Sequence, residues 1–509
     1  MRNHSLAVNV IAKGTLNLFN ALLPLILVRY VYRVIGPVNI GSVEYATATM
    51  GYFALLGALG IYNYGLRTVS AHRGTPELVR SVFKNLVGIG VVSNFLAILI
   101  YVAFVYFFVH TPLLRTVSWI LCGNIIAQFV YVEWYNEGME QFVFITIKTV
   151  IIRVLSLAFV FIFIHDPGDV YIYVVITSGV MIANNIVSYV YARRNVGIPI
   201  RDMFRGLNFK PYIVPLLTIM VLNNTVLLYT MADRTILGYF TTEENVAFLS
   251  ISSKVAEMTR TLLLSVVFAT LPRLSLYLRE DKHLYQSGVL KIMRMVLFLT
   301  VPTGIGLFML SPEVIDFFGG REYVGAVPVM RLFSLRMIML GVEAIMYNQV
   351  IFLHGRERRL VVYNLLCGLL NVALNLVFLS VLDPLVSMLC PFASEIVFET
   401  LCYRFITLKL KVKLGIFKLY LLKYFAVAAL FVPVIMGLDA ISLGTSATLA
   451  IGITACGLVY FIILAVMKDT AACEILGYAK RLIPHKNPTN MLAGAVVIGR
   501  YDDAVDRCA

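Results

Sequence analysis

Apolar segments about twenty residues long follow one another through almost the whole chain, and this pattern restricts the fold more than any other feature. A helix needs roughly 20 apolar residues to cross a bilayer, where every backbone polar group must be satisfied within the protein. Of the 509 residues, 60% are hydrophobic and only 14% are charged, whereas a soluble domain has about 25% charged residues. The sequence therefore predicts a helical integral membrane protein.

Short joints with charged, glycine or proline residues divide the apolar sequence into about fourteen segments. We place them near residues 9–33, 43–64, 85–109, 114–136, 142–164, 170–192, 211–232, 246–270, 289–310, 326–353, 360–381, 385–407, 418–437 and 443–467. The predicted fold class is an all-α polytopic membrane protein with about 14 transmembrane helices.

Lysine and arginine are concentrated in every second joint. Residues 65–84, 193–210, 273–294 and 404–423 are rich in them, whereas the joints between carry few. Because these residues accumulate in cytoplasmic loops, the alternation predicts that both termini are cytoplasmic. The net charge of +14 is then a signal of topology, and we expect no nucleic-acid partner.

The sequence lacks the motifs of common catalytic and metal sites. It contains no H-E-x-x-H, no G-x-S-x-G and no aspartate-rich metal box, and its seven cysteines form no C-x-x-C pair. The glycine-rich stretch 36–42 has no lysine before its serine, so it is not a phosphate loop. We expect no catalytic residue, no metal and no bound cofactor.

Two pairs of similar segments predict an internal duplication. The stretch "WYNEGMEQF" aligns with "IFLHGRERRL", with Gly138 over Gly355, and an earlier pair of segments aligns Arg33 with Arg234. An even number of spans in each unit returns the chain to the side where it started, so two six-helix units must be parallel. The sequence therefore predicts two parallel six-helix lobes followed by two further helices.

The joint at 132–142 is unusual because it gathers three acids. Its glycine and Gly355 are predicted turn residues. We expect Glu137 and Glu140 to cap and orient the next helix, with no catalytic role.

The predicted organisation has five parts. Apolar and basic residues alternate in the linker, which predicts a helix on the inner leaflet. The parts are an N-terminal lobe at 1–192, a basic cytoplasmic linker at 193–210, a C-terminal lobe at 211–410, two helices at 411–470 and a cytoplasmic tail at 471–509.

Ionisable residues inside the spans are the candidates for function, because such residues are rare in a bilayer and usually face a cavity. Arg29 and Arg33 lie four apart, and the eighth span carries Lys254, Glu257 and Arg260 on one helical face. Each set also has a structural interpretation. The two arginines can extend to the outer headgroups, and the other three can form an ion cluster between helices.

Several motifs together resemble a known family. The stretches "YRVIGPVNIGSVEYA", "LGIYNYGLRTVSAHR", "EWYNEGMEQF" and "DRTILGYFTTEENVAFLSISSK" are similar to hallmarks of the polysaccharide-transport (Wzx-type) flippases. These belong to the multidrug/oligosaccharidyl-lipid/polysaccharide exporter superfamily, and the resemblance covers roughly residues 5 to 470. The tail from about 484 fits no family pattern.

The resemblance implies a V-shaped central cavity between the lobes and a substrate carried through it. That substrate is an undecaprenyl-pyrophosphate-linked oligosaccharide, moved from the inner to the outer leaflet of the bacterial cytoplasmic membrane by alternating access. Coupling to a proton gradient, a sodium gradient or the membrane potential stays open. Members of the family carry a cationic cavity, which Arg29, Arg33, Lys254 and Arg260 match in type. From their positions in or beside the spans, we expect sugar contacts from Asn17, Asn20, Asn223 and Asn224, and ion coupling at Glu44, Asp233 and Glu257.

Three alternatives remain open at the level of sequence. A drug/cation antiporter of the same superfamily should have an acidic cavity. A lipid II or teichoic-acid flippase differs only in its sugar. A membrane polymerase or ligase usually needs a large outer loop, and the predicted outer joints are short. A flippase would work with the lipid bilayer, and a polysaccharide polymerase and its chain-length machinery are expected partners.

Overall fold

The computed structural model describes residues 23, 25–416, 418, 421–441 and 444–482, with side chains described in those ranges except at 200, 221–230, 266, 439 and 478–482. These residues form helices and connecting turns, and no strand occurs among them. The all-α fold class is confirmed.

Helices of the first half follow the predicted segments, except that the second and the fourth predicted spans are each divided into two helices. The helix α1, described from residue 25, ends at residue 35. It is followed by α2 (Pro37–Ala58), α3 (Ile61–Ala71), α4 (Pro76–Phe108), α5 (Pro112–Gln128), α6 (Glu133–Gly138), α7 (Phe142–Phe163) and α8 (Val170–Val196).

The second half begins with two long helices. Its elements are α9 (Lys210–Phe240), α10 (Glu243–Glu280), α11 (Lys282–Met309), α12 (Ser311–Gly319), α13 (Val327–Ala344), α14 (Glu357–Val377), α15 (Pro384–Phe405), α16 (Leu422–Ala428), α17 (Phe431–Asp439), α18 (Thr445–Val466) and α19 (Thr470–Leu482). Helix α13 continues as a π-helix over Ile345–Phe352, and α15 does so over Ile406–Leu410.

Nine helices of the described residues are long and apolar enough to cross a membrane, which supports a multi-pass membrane protein. The count of fourteen stays a prediction, because much of the first predicted span lies outside the described residues. The second predicted span, 43–64, is divided between α2 and α3. Leu59 and Gly60 have φ angles of 45° and 72°, and this left-handed backbone cannot continue a right-handed helix.

The linker at 193–210 differs from its prediction. Helix α8 continues to Val196, Gly197 adopts a φ of 70°, and only the short turn Ile200–Asp202 precedes α9. The predicted helix on the inner leaflet is therefore not formed. The alternating apolar and basic residues lie instead in an irregular segment that turns at Gly197 and Gly206, both of which have positive φ angles.

By its internal contacts the chain divides into two compact units. One comprises Met1–Leu262, Ile315–Phe333 and His354–Phe405, and the other comprises Leu263–Val314, Ser334–Leu353 and Ile406–Ala509. The division passes through α10. The two six-helix lobes and the cavity between them stay predictions.

Aromatic residues from the joint at 132–142 fill a core of the first unit. Trp134 and Tyr135 are almost fully buried against Phe83. A Cβ atom on Gly65 would lie 2.5 Å from Trp134 Cε3, so α3 reaches the indole only because this residue is glycine. The joint is thus anchored by buried aromatic residues, while its acids range from the enclosed Glu133 to the half-exposed Glu140.

Candidate functional site

Glu133 of the joint forms a buried ion pair. Its carboxylate lies 3.0 Å from Lys148 Nζ, and the side chains are 13% and 2% exposed. Ser188 Oγ donates a hydrogen bond of 2.5 Å to the same carboxylate. The pair therefore ties α6, α7 and α8 together, and it is enclosed on nearly all sides.

The other two acids of the joint do not cap α7, so that interpretation of the sequence is wrong. Helix α7 begins without a side-chain cap. Tyr62 donates to Glu137 at 3.0 Å, and Glu140 lies 2.7 Å from Arg73. Both carboxylates therefore bind neighbouring structure instead of free amides of the next helix.

The predicted turn glycines have different roles. Gly355 has a φ of 65°, as expected for a turn. In the other joint the left-handed residue is Glu140, with a φ of 58°. A Cβ on Gly138 would lie 2.9 Å from Val69 Cγ1, so this glycine serves close packing.

Glu44 of α2 gathers two cations from other helices. Lys254 of α10 donates a short hydrogen bond to its Oε1, and Arg234 of α9 lies 3.5 Å from its Oε2. Tyr32 donates to Oε1 at 3.3 Å, and Ser253 accepts a bond of 2.8 Å from Arg234. We refer to Glu44, Lys254 and Arg234 as the Glu44 cluster.

Exposure differs within the Glu44 cluster. The side chain of Glu44 is 11% exposed, whereas those of Lys254 and Arg234 are 30% and 29% exposed. A carboxylate taken out of water needs charged or hydrogen-bonding partners, and removing one partner of a buried pair costs about 3–5 kcal/mol. Because the cations are partly exposed, the cost here is expected to be smaller.

A glycine allows α2 to approach α10 near the cluster. A Cβ on Gly41 would lie 1.6 Å from the carbonyl oxygen of Glu243, the first residue of α10. Gly41 lies almost one turn before Glu44 on α2. The missing side chain therefore lets Glu44 come within reach of Lys254.

Asp233 lies in a second polar group, with amides of α14. Its Oδ1 accepts hydrogen bonds of 2.8 Å from Asn371 and 3.0 Å from Asn375. Both asparagines are fully buried. Asn375 Oδ1 has no hydrogen-bond partner, and neither does the buried Ser387 Oγ of α15. The group thus combines a buried carboxylate with an amide oxygen, Asn375 Oδ1, that accepts no hydrogen bond.

The predicted cavity cations of α1 contact α12. The Arg29 guanidinium lies 3.9 Å from the centre of the Phe317 ring. Arg33 donates a short hydrogen bond to the carbonyl oxygen of Asp316. Both arginines therefore have protein partners, and their predicted role in binding substrate stays a prediction.

The three ionisable residues of α10 do not form one cluster. Arg260 and Glu257 are 3.1 Å apart and their side chains are 41% and 62% exposed. Lys254 pairs with Glu44 on another helix. The predicted ion cluster of Lys254, Glu257 and Arg260 is therefore wrong about the partner of Lys254. An ion cluster between helices does exist, and it is formed with Glu44.

The predicted sugar contacts are not resolved by the geometry. Asn17 and Asn20 lie outside the described residues, and Asn223 and Asn224 lie in α9 where side chains are not described. Asn371 and Asn375 were not selected from the sequence. Their four-residue spacing in an apolar segment was the available signal.

The chain is similar in sequence to a known family and to a known protein. Residues 6–278 match the family described as polysaccharide biosynthesis protein. The protein named "Putative O-antigen transporter" of Escherichia coli (strain K12) is 20% identical over 379 residues, which cover 73% of this chain and 89% of that protein.

Solved structures share the fold. The lipid II flippase MurJ, in an inward closed conformation, aligns with a TM-score of 0.68 and 13% identity, over 91% of this chain and 100% of the other. An inward-facing multidrug resistance MATE family transporter of the MOP superfamily aligns with a TM-score of 0.51 and 12% identity, over 77% and 98% of the two chains. At such identities the likeness concerns the fold alone.

Proposed function

The chain belongs to the polysaccharide biosynthesis protein family, and from this membership we propose that it is a flippase for an undecaprenyl-pyrophosphate-linked oligosaccharide. It moves the lipid-linked sugar from the inner to the outer leaflet of the bacterial cytoplasmic membrane, where a surface polysaccharide is assembled. The observation that carries the proposal is the family match over 6–278. The name of the Escherichia coli relative supports the same class of substrate.

The physical problem is the sugar head group. Each unpaired hydroxyl costs a few kcal/mol in an apolar environment, about 2–7 by most measures, so several sugars cannot cross the hydrocarbon unaided. A polar path between helices removes this barrier. The inside-negative potential also favours outward movement of the anionic pyrophosphate, by about 2.3 kcal/mol per charge per 100 mV. The transport therefore needs no nucleotide hydrolysis.

Cations on the path would bind the pyrophosphate. Lys254 and Arg234 converge on one carboxylate, so they form the strongest candidate for this contact. Arg260 is the weakest of the predicted cations, because it pairs with Glu257 on its own helix, whereas Lys254 and Arg234 converge from two helices. The proposed contacts also include Arg29 and Arg33, with Asn17, Asn20, Asn223 and Asn224 on the sugars.

Alternating access is the proposed motion. Two parallel lobes that rock against each other would open a shared cavity first to the cytoplasm and then to the outside. Both termini lie in the cytoplasm in this arrangement, consistent with the basic joints of the sequence.

Ion coupling is proposed at Asp233. Its amide neighbours now donate to the carboxylate, and rotation of either amide by half a turn would present oxygen instead. A sodium ion prefers oxygen ligands, as hard cations do. Glu44 suits coupling less well because it is already neutralised by two cations. A proton on Asp233 is the alternative form of coupling.

Asp233→Asn tests ion coupling. Transport by the unmodified protein in proteoliposomes should rise with an imposed sodium or proton gradient, whereas the variant should be insensitive to both. A variant that keeps the full gradient dependence would exclude Asp233 as the coupling group.

Surface polysaccharide in a strain that lacks its own flippase tests the function. The unmodified chain should restore the polymer, and Lys254→Ala should abolish it at normal membrane abundance, with Lys254→Arg milder because the charge is kept. Arg29→Ala is expected to reduce export. No restoration by the unmodified chain, with the matching sugar transferases present, would contradict the proposal. Restoration of growth in a strain depleted of its lipid II flippase would instead indicate that substrate.

A further inference from the structure

The carboxylate of Glu44 lies where two cations from different helices converge. We propose that Glu44 is an internal substitute for the diphosphate of the substrate, held by Lys254 and Arg234 until that diphosphate displaces it. The inference rests on the proposed function and identifies the place and the regulation of its anion binding.

The donors of the Glu44 cluster suit an oxyanion of either kind. Lysine and arginine bind carboxylate and phosphate through the same charge-assisted hydrogen bonds. Lys254 and Arg234 contact different oxygens of Glu44. The Arg234 guanidinium also donates a hydrogen bond of 2.8 Å to Ser253 Oγ, which fixes its position. Two cations facing one carboxylate leave an excess positive charge. A diphosphate diester with about two negative charges matches them better than one carboxylate does.

The cations are open to an arriving ligand. Their side chains are 30% and 29% exposed, whereas that of Glu44 is 11% exposed. The ion pair of Lys148 and Glu133 is different, because the lysine is only 2% exposed. A pair enclosed in this way has a structural role, while the Glu44 cluster can exchange its anion without unfolding a helix.

Displacement of Glu44 would also release α2. Glu44 belongs to the predicted N-terminal lobe, whereas Lys254 and Arg234 belong to the predicted C-terminal lobe. The cluster lies in the half of the spans that is predicted to face outward. An arriving diphosphate would therefore remove the ion pairs that join α2 to α9 and α10. This weakens the packing of α2 and couples substrate binding to opening toward the outside.

Inorganic pyrophosphate is the first probe. The full-length protein in neutral-lipid nanodiscs is titrated calorimetrically with pyrophosphate. Glu44→Gln should bind it about tenfold more tightly, which corresponds to about 1.4 kcal/mol, and Lys254→Gln should lose binding. The matched control is Glu140→Gln, which removes an acid from its exposed pair with Arg73 and should leave affinity unchanged. Equal or weaker binding by a folded Glu44→Gln would overturn the proposal.

Two further arms decide the ligand and the release of α2. Anionic phospholipid in the nanodisc should not compete with pyrophosphate, and full competition would assign the site to a lipid headgroup and overturn the proposal. Ala48 lies one helical turn after Glu44 on the same face of α2 and is 5% exposed. A cysteine introduced by Ala48→Cys should react faster with a membrane-impermeant maleimide when pyrophosphate is added. When Glu44→Gln is also present, that cysteine should react faster even without pyrophosphate. The labelling of the native cysteines is measured in a protein without the introduced cysteine and is subtracted. If neither pyrophosphate nor Glu44→Gln changes the remaining labelling rate, α2 is not released.

The proposed function fails separately from this inference. If the unmodified chain restores export but Glu44→Gln leaves pyrophosphate affinity unchanged, only the role of Glu44 is refuted. If export is not restored, the proposed function is refuted, and the pyrophosphate titration still decides what the cluster binds.

Discussion

Gly41→Ala should destabilise the protein through a single methyl group. The added Cβ would lie 1.6 Å from the Glu243 carbonyl oxygen and 2.4 Å from its carbonyl carbon. Non-bonded heavy atoms are comfortable only at about 3.5 Å. Because the obstacle is backbone at the start of α10, it cannot rotate away as a side chain would. Helices α2 and α10 must therefore separate locally by roughly 1.5–2 Å.

The magnitude follows from two opposing effects. An overpacked methyl group costs about 1–3 kcal/mol, and contact with rigid backbone places this change at the upper end. Alanine recovers about 0.5–1 kcal/mol over glycine inside a helix. The net loss in free energy of unfolding is therefore about 2 kcal/mol. The separation also moves Glu44 away from Lys254 and weakens the Glu44 cluster.

Thermal unfolding in detergent measures the effect. The matched control is Gly179→Ala in α8, where an added Cβ has no atom within 4 Å. This change carries no steric cost, so only the stabilisation of alanine over glycine inside a helix remains. Gly41→Ala should unfold several degrees below the unmodified protein and Gly179→Ala at or slightly above it. If Gly41→Ala unfolds at the same temperature as Gly179→Ala, the close approach of α2 and α10 is wrong.

Three further predictions test topology, the buried pair and the turn. Reporters fused after Lys210 should be cytoplasmic and those fused after Glu322 external, so an external Lys210 would refute the predicted orientation. Lys148→Met should lower membrane abundance strongly, since a lone buried carboxylate costs about 3–5 kcal/mol, and adding Glu133→Gln should restore much of it; a double variant as scarce as the single one would contradict this. Gly355→Val should cost about 1–2 kcal/mol through its left-handed backbone, and an unchanged unfolding temperature would show that the turn is not needed.

The spans and the candidate cations could be predicted because each depends on local sequence. Segment length and hydropathy are sufficient to identify most helices, and isolated charges such as Lys254 are conspicuous among apolar residues. The break at Leu59 and Gly60 was missed because hydropathy does not report backbone φ angles. An apolar run continues through the break, although the helix does not.

The partners of the charges could not be predicted, because they depend on which helices pack together. Glu257 lies one turn from Lys254 in sequence, yet Lys254 binds Glu44 more than two hundred residues away. Gly138 likewise lies in a joint where a turn glycine is expected, but its role is to leave room for Val69. Neither tertiary contact leaves a local signal in the chain.

Flipping by the purified protein tests the central claim most directly. Proteoliposomes are loaded with an undecaprenyl-pyrophosphate-linked oligosaccharide in both leaflets, and an external enzyme that modifies the sugar reports the accessible fraction. About half of the lipid should react without protein, and nearly all of it should react with the unmodified chain. Lys254→Ala should behave like empty vesicles. If the accessible fraction stays at one half with folded, reconstituted protein, the chain does not move this class of lipid, and the account is contradicted.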